Sequence, residues 1–310
     1  MDEAVLRARI RRLVFAAPAL SEALGTGNFR SAFKGRGMDF EALREYEATD
    51  DALRIDWNAT ARFGRPYVKT YRDDRDLTLY LIVDESASMD FGADRTKRET
   101  SALAASLLAY ACSLNGVRVG ALFFGGAAQM DGRMPAAGQR AARALMERLA
   151  AGPASAAGPA SASGPASAAG PERGPHGSDL GSALDAASSI LKRRSLVLIV
   201  SDFMTAGWAL PLALLARRND VAAIRVHDSL DVAPPRLKFS LRASDAENGM
   251  PRLVVPRSSA WRESRSQAAK AARLEWLVAL SAARVPWLEM DSTTDPVEAL
   301  VSFFGRRRSA

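Results

Sequence analysis

Leu77-Thr78-Leu79-Tyr80-Leu81-Ile82-Val83, running straight into Asp84-Glu85-Ser86-Ala87-Ser88, is the stretch on which the fold turns. The first seven residues are almost wholly apolar. A run of this length without alternation fits a strand buried on both faces, the kind found inside parallel sheets. Beyond it the chain alternates between two periods. Helical patterns at 95–114, 137–150, 179–192 and 207–217 are interleaved with strand patterns at Val117–Phe124, Leu196–Val200 and Val221–Val226. This predicts an α/β protein with a doubly wound, mostly parallel sheet flanked by helices. A basic amphipathic helix at 258–283, a last strand at Val285–Met290 and a helix from Pro296 to Phe304 complete it.

Upstream, Val5, Leu6, Ile10, Leu13, Val14 and Ala17 recur at helical spacing and predict an amphipathic helix over 3–22. Residues 23–40 read as irregular. Pro66–Tyr71 alternates like a half-exposed strand and, with the polar turn Asp73–Asp76, predicts a hairpin with 77–83. The organisation expected is an N-terminal helix and extension over 1–65 and an α/β domain over 66–310. Two interruptions lie within that domain. Residues 152–171 repeat Gly-Pro-Ala-Ser-Ala-Ala with small variations, have nothing to bury, and make 152–175 a disordered insert. Residues 229–256, with Pro234-Pro235 and Asn248-Gly249, read as a small β excursion.

Composition excludes several classes. The net charge of +7 is spread along the chain. Its one dense cluster, Arg306-Arg307-Arg308, reads as a solvated tail, and no basic stretch is interleaved with aromatic residues, so nucleic-acid binding is not expected. No apolar run approaches the ~20 residues that span a bilayer. The one cysteine, Cys112, sits in an apolar helical pattern and permits no intrachain disulfide, which points to a reducing, cytoplasmic setting. No phosphate-binding Gly-x-x-x-x-Gly-Lys-Ser/Thr loop is present.

The chemistry concentrates at strand ends, where open α/β sheets place their ligands. Asp84 supplies a charged oxygen, and Ser86 and Ser88 supply hydroxyls two residues apart. Ser178 precedes a helix, and Asp202 follows the Leu196–Val200 strand. Five such oxygen donors suit a hard divalent cation such as Mg²⁺ or Mn²⁺, with one position left for an acidic group of a partner. The plainer reading makes Ser86, Ser88, Ser178 and Asp202 helix caps. Asp90 and Asp94 fit turn or cap roles. His176 and His227, the two histidines, support no catalytic triad. A phosphatase-like hydrolase using Asp84 is the alternative function, but the position two residues on, where such enzymes keep a general acid, is Ser86. Arg54, Asp56, Trp57 and Arg62 read as a packing and ion-pair block.

Asp84-x-Ser86-x-Ser88 with Ser178 and Asp202 resembles the metal-ion-dependent adhesion site of von Willebrand factor type A domains, whose third element is usually Thr. The block Gly35–Asp76, GRGMDFEALREYEATDDALRIDWNATARFGRPYVKTYRDDRD, resembles the signature of the bacterial "domain of unknown function 58" family. Its members carry a type A-like domain and are often associated with MoxR-type AAA+ ATPases. The resemblance implies a metal-dependent protein-interaction module, not an enzyme, acting beside such an ATPase in chaperone-like complex assembly.

Overall fold

The computed structural model describes residues 39–47, 55–72, 77–125, 130–153, 179–233, 241–244, 251–254 and 258–306. The expected helix at 3–22, nearly all of the repeat insert, His176, Ser178 and the end of the basic tail lie outside these residues.

The chain falls into two compact units, the smaller being Lys34–Asp76. In the smaller one, β1 (Asp39–Glu45) pairs antiparallel with β2 (Tyr67–Arg72). Between them lies α1 (Trp57–Phe63), capped by Asp56, whose carboxylate accepts from the backbone N–H of Asn58 and Ala59. Gly64 ends it in the left-handed conformation that glycine adopts without strain. Asp56 is thus a helix cap, and Trp57 is exposed instead of packed.

The larger unit is built on a six-stranded sheet in the order β10-β7-β6-β3-β4-β5. Its strands are β3 (Thr78–Asp84), β4 (Arg118–Phe124), β5 (Met130–Ala136), β6 (Leu196–Ser201), β7 (Asp220–His227) and β10 (Trp287–Asp291). All neighbours are parallel except β4 and β5. The expected hairpin between 66–71 and 77–83 does not form. β3 has β4 on one side and β6 on the other, so it offers no free edge, and Tyr67–Arg72 pairs with β1 instead.

The apolar run of β3 divides by the two-residue period of a strand. Leu79, Leu81 and Val83 face a core closed by α2 (Lys97–Leu114), α3 (Gln139–Ala151) and α8 (Pro296–Arg306). Tyr80 and Ile82 face a second core beneath α4 (Leu180–Ile190), α5 (Ala209–Arg218) and α7 (Ser259–Ala283). Helix α2 is buried nearly all round. Its alanines let it lie close to the sheet, and a capping box between Thr96 and Glu99 satisfies its first turn. A short helix, α6 (Ser229–Val232), succeeds β7. The excursion expected at 229–256 contains the two-stranded pair β8 (Leu241–Ser244) and β9 (Pro251–Val254).

β5 is the strand that the sequence hides. Met130-Asp-Gly-Arg-Met-Pro-Ala136 has a glycine, a proline and mostly exposed side chains, and pairing with β4 alone makes it a strand. Among the described residues no helix is long and apolar enough to cross a membrane.

Leu81 is fully buried at the centre of the sheet. Leu81→Ala removes its methyl groups and leaves a cavity that flanking strands cannot close. The expected loss is about 3 kcal/mol of unfolding free energy, read by urea denaturation. A loss below about 1 kcal/mol would contradict this placement of the core.

Candidate functional site

β3 delivers Asp84 to the carboxyl edge of the sheet, where its side chain is buried. One carboxylate oxygen accepts the backbone N–H of Ser86 at 2.9 Å, and the other accepts the Ser201 hydroxyl, from the end of β6, at 2.6 Å. Ser201 in turn accepts the N–H of Phe203 at 2.9 Å. Phe203 has a positive φ of 55°, an uncommon conformation for a bulky residue. Its buried ring holds it there, edge-on to Trp208 and tilted against Trp276.

The hydroxyls of Ser86 and Ser88 lie 3.1 Å apart beside this carboxylate. Ser86 stands at the cap position of the 3₁₀ turn Ala87–Asp90, yet its side chain makes no capping bond. The hydroxyl is turned to Ser88 and Asp84 instead. Three oxygen-bearing side chains therefore converge at one strand end.

Asp202 lies near enough for its charge to act on Asp84. It caps no helix. One of its oxygens accepts the Met204 N–H at 3.1 Å, and the other takes the ammonium of Lys97 at 2.8 Å. Lys97, the first residue of α2, is buried and also reaches Asp231 at 3.4 Å. Burial works to lower the Lys97 pKa, but Asp202 and Asp231 raise it on balance, so it stays charged. Nothing in the sequence pattern points to this lysine, since a lone Lys in the first turn of a helix is ordinarily solvated.

Three further groups fix the loop. Glu85 forms a two-pronged ion pair with Arg148 of α3, at 2.8 and 3.0 Å. That guanidinium also bonds Asp131 and lies over the Phe123 ring, 4.2 Å from its centre. Arg98 donates to the carbonyls of Glu85 and Ser86 and pairs with Asp90, the turn residue. Behind them Gly125, at φ +80°, passes so close that a Cβ would lie 2.9 Å from the Ser86 nitrogen. Only glycine fits there.

On the far side of Lys97, Asp228 is fully buried at the end of β7. It accepts from the Ala93 and Leu230 N–H groups and from the Ser292 hydroxyl. Burial pushes its pKa up, but these bonds hold it below the ordinary carboxylate range. Arg95 donates to the carbonyls of Ser292 and Thr294. The loop leading into α2 is thus pinned to the ends of β7 and β10, which sets the height of Lys97.

Of the five donors expected from sequence, Asp84, Ser86 and Ser88 come together, and Asp202 stands beside them, bound to Lys97. Ser178 lies outside the described residues. Its neighbour Asp179 caps α4 by accepting from the Ser182 N–H. His227 ends β7, the neighbour of β6, with its ring 3.6 Å from Asp291 of β10.

The chain matches the family described as "Protein of unknown function DUF58" over residues 42–275. The uncharacterized proteins Mb1516 of Mycobacterium bovis and Rv1480 of Mycobacterium tuberculosis are each 32% identical to it over 315 residues. Those alignments cover 99% of this chain and 92% of each relative. Among solved structures, the SpRpn10 VWA domain aligns at 12% identity and a TM-score of 0.36, covering 73% of this chain and 93% of its own.

Burial first, and then the charge of Asp202, push the Asp84 pKa up from 3.8 to about 6, against the hydrogen bonds from Ser201 and Ser86. The folded chain therefore holds this proton more tightly than the unfolded chain. The stabilisation is complete below about pH 3.8 and is lost as pH rises through about 6. Its size is about 3 kcal/mol. In EDTA, Asp84→Asn is expected to flatten the fall in stability across this window, measured by urea denaturation at stepped pH. An unchanged profile would contradict the burial of an ionisable Asp84.

Proposed function

The chain belongs to the DUF58 family, and we propose that it is a protein-interaction module, not an enzyme, whose docking point is a divalent cation held at Asp84, Ser86 and Ser88. The observation that carries this reading is the hydroxyl of Ser86 turned to a buried carboxylate, with the Ser88 hydroxyl 3.1 Å behind it and the Ser86 side chain making no capping bond.

The donor set fits a hard cation. It offers oxygen only, and it has few charges. Asp84 and Asp202 are two carboxylates in a nearly water-free place, and Lys97 is shared between Asp202 and Asp231. The remaining negative charge is what burial makes costly, and a bound cation relieves it. Asp84, Ser86 and Ser88 would hold Mg²⁺ or Mn²⁺. Asp202, and Ser178 by the sequence resemblance, would act alongside. Bound there, the ion supplies a Lewis-acidic position that an acidic side chain of a partner can complete. The chain's own part is to keep the donors oriented: Ser201 steers Asp84, Lys97 steers Asp202, Arg98 fixes the loop backbone and Arg148 holds the Glu85 side chain.

Hydrolysis is disfavoured because the residue two positions after Asp84 is Ser86, which has no acidic proton to give a leaving group. The family resemblance supports a MoxR-type AAA+ ATPase as the partner, in complex assembly. The single cysteine supports a cytoplasmic setting.

Millimolar Mg²⁺ or Mn²⁺ is expected to raise the melting temperature of the full chain by several degrees, as about 3 kcal/mol of linked binding would. Asp84→Ala should abolish the rise, and Asp90→Ala should leave it intact. A wild-type chain indifferent to both ions would overturn the metal reading. Retained ATPase binding in that case would leave an interaction module without a cation.

A further inference from the structure

Lys97 carries a charge that its position disfavours twice over. It is the first residue of α2, where the helix dipole favours an acid and opposes a cation. Its side chain is 4% exposed, so the ammonium has also given up its water. For stability alone, well-packed apolar residues of similar volume serve as well as a buried ion pair. The fold nevertheless keeps the lysine and sets it between two carboxylates, Asp202 at 2.8 Å and Asp231 at 3.4 Å.

Those two carboxylates differ in what else they do. Asp202 is buried, its other oxygen accepts the Met204 N–H, and its charge acts on Asp84. Asp231 belongs to α6, is 30% exposed, and its bond from the Asp228 N–H is a long 3.3 Å. A divalent cation at Asp84 and the Lys97 ammonium therefore contend for one carboxylate, Asp202. Two cations on one buried carboxylate repel strongly where water is scarce. The lysine has another partner within reach. Its flexible four-carbon stem ends between the two acids, and a small swing exchanges Asp202 for Asp231.

We propose that Lys97 sets the cation affinity of the Asp84 loop, competing with the ion for Asp202 and passing to Asp231 when the ion is bound. This rests on the cation reading of that loop. Lys97 is a positioning residue, since it touches neither ion nor partner and acts through Asp202. Its competition keeps the affinity low enough for the loop to load and unload its ion.

Mn²⁺ is titrated into the full chain above the pH range in which Asp84 holds its proton, and the free ion is read by electron paramagnetic resonance. Lys97→Gln keeps a hydrogen-bond donor for Asp202 without the charge, and Lys97→Met keeps neither. Each should tighten Mn²⁺ binding at least about tenfold. Asp231→Asn keeps an oxygen for the Asp228 N–H but leaves Lys97 to Asp202 alone, and should weaken binding about threefold or more. In the Lys97→Gln background the same change should have little effect, because Asp231 acts through the lysine. A merely structural lysine predicts the opposite sign, since its loss would loosen the loop and weaken uptake. Should neither lysine variant fold, by near-ultraviolet circular dichroism in EDTA, Asp231→Asn carries the test, and unchanged or tighter binding in it would overturn the proposal. Unchanged or weaker uptake in folded lysine variants, beside intact uptake by the wild-type chain, would overturn it and leave the cation reading standing. So would an equal effect of Asp231→Asn in both backgrounds. Uptake by no chain would overturn both. Uptake by the lysine variants alone would uphold the competition and overturn the cation reading of the natural chain.

Discussion

A carboxylate taken out of water must be compensated, and Asp84 is such a carboxylate. β3 is flanked by parallel strands on both sides and covered on both faces, so the residue at its end is delivered into the protein. The compensation is local. Ser86 and Ser201 give hydrogen bonds, and the neighbouring charge of Asp202 is taken up by Lys97. Everything else at this edge keeps those partners in place. Arg98 clasps the turn, Arg148 anchors Glu85, and Asp228 with Arg95 fixes the approach to α2.

Lys97 also sets the character of the site. Asp202 is bound to an internal ammonium that it shares with Asp231, whereas Asp84 is met by hydrogen bonds. A site of that kind is completed by a partner's acid only if something adds positive charge, which is the physical content of the cation proposal.

Much of the fold is legible because burial writes itself into sequence. The apolar runs of β3, β6 and β7 and the helical periods between them could belong to little but a parallel sheet. The excursion after β7 shows through its Pro-Pro and Asn-Gly dipeptides. The strand β5 is not legible, since its residues are those of an exposed edge and its pairing is supplied by β4. β2 is legible as a strand, but the hairpin expected for it has the wrong partner, because alternation states that a segment is extended and says nothing of which strand it meets. At the site, Asp84, Ser86, Ser88 and Asp202 can be placed from their positions at strand ends. Ser201, Lys97, Arg98 and Arg148 cannot, because their roles rest on contacts across 12 to 117 residues of chain.

The most direct test of the central claim is a titration of Mn²⁺ into the full chain at about pH 7.5, above the range in which Asp84 holds its proton, followed by electron paramagnetic resonance of the free ion. One equivalent should lose its sharp six-line signal in the wild-type chain, with Mg²⁺ restoring the signal by competition, and in Ser86→Ala/Ser88→Ala the signal should stay sharp throughout. Full signal at every ratio in the wild-type chain, or equal uptake by the double variant, would contradict a cation held at the Asp84 loop.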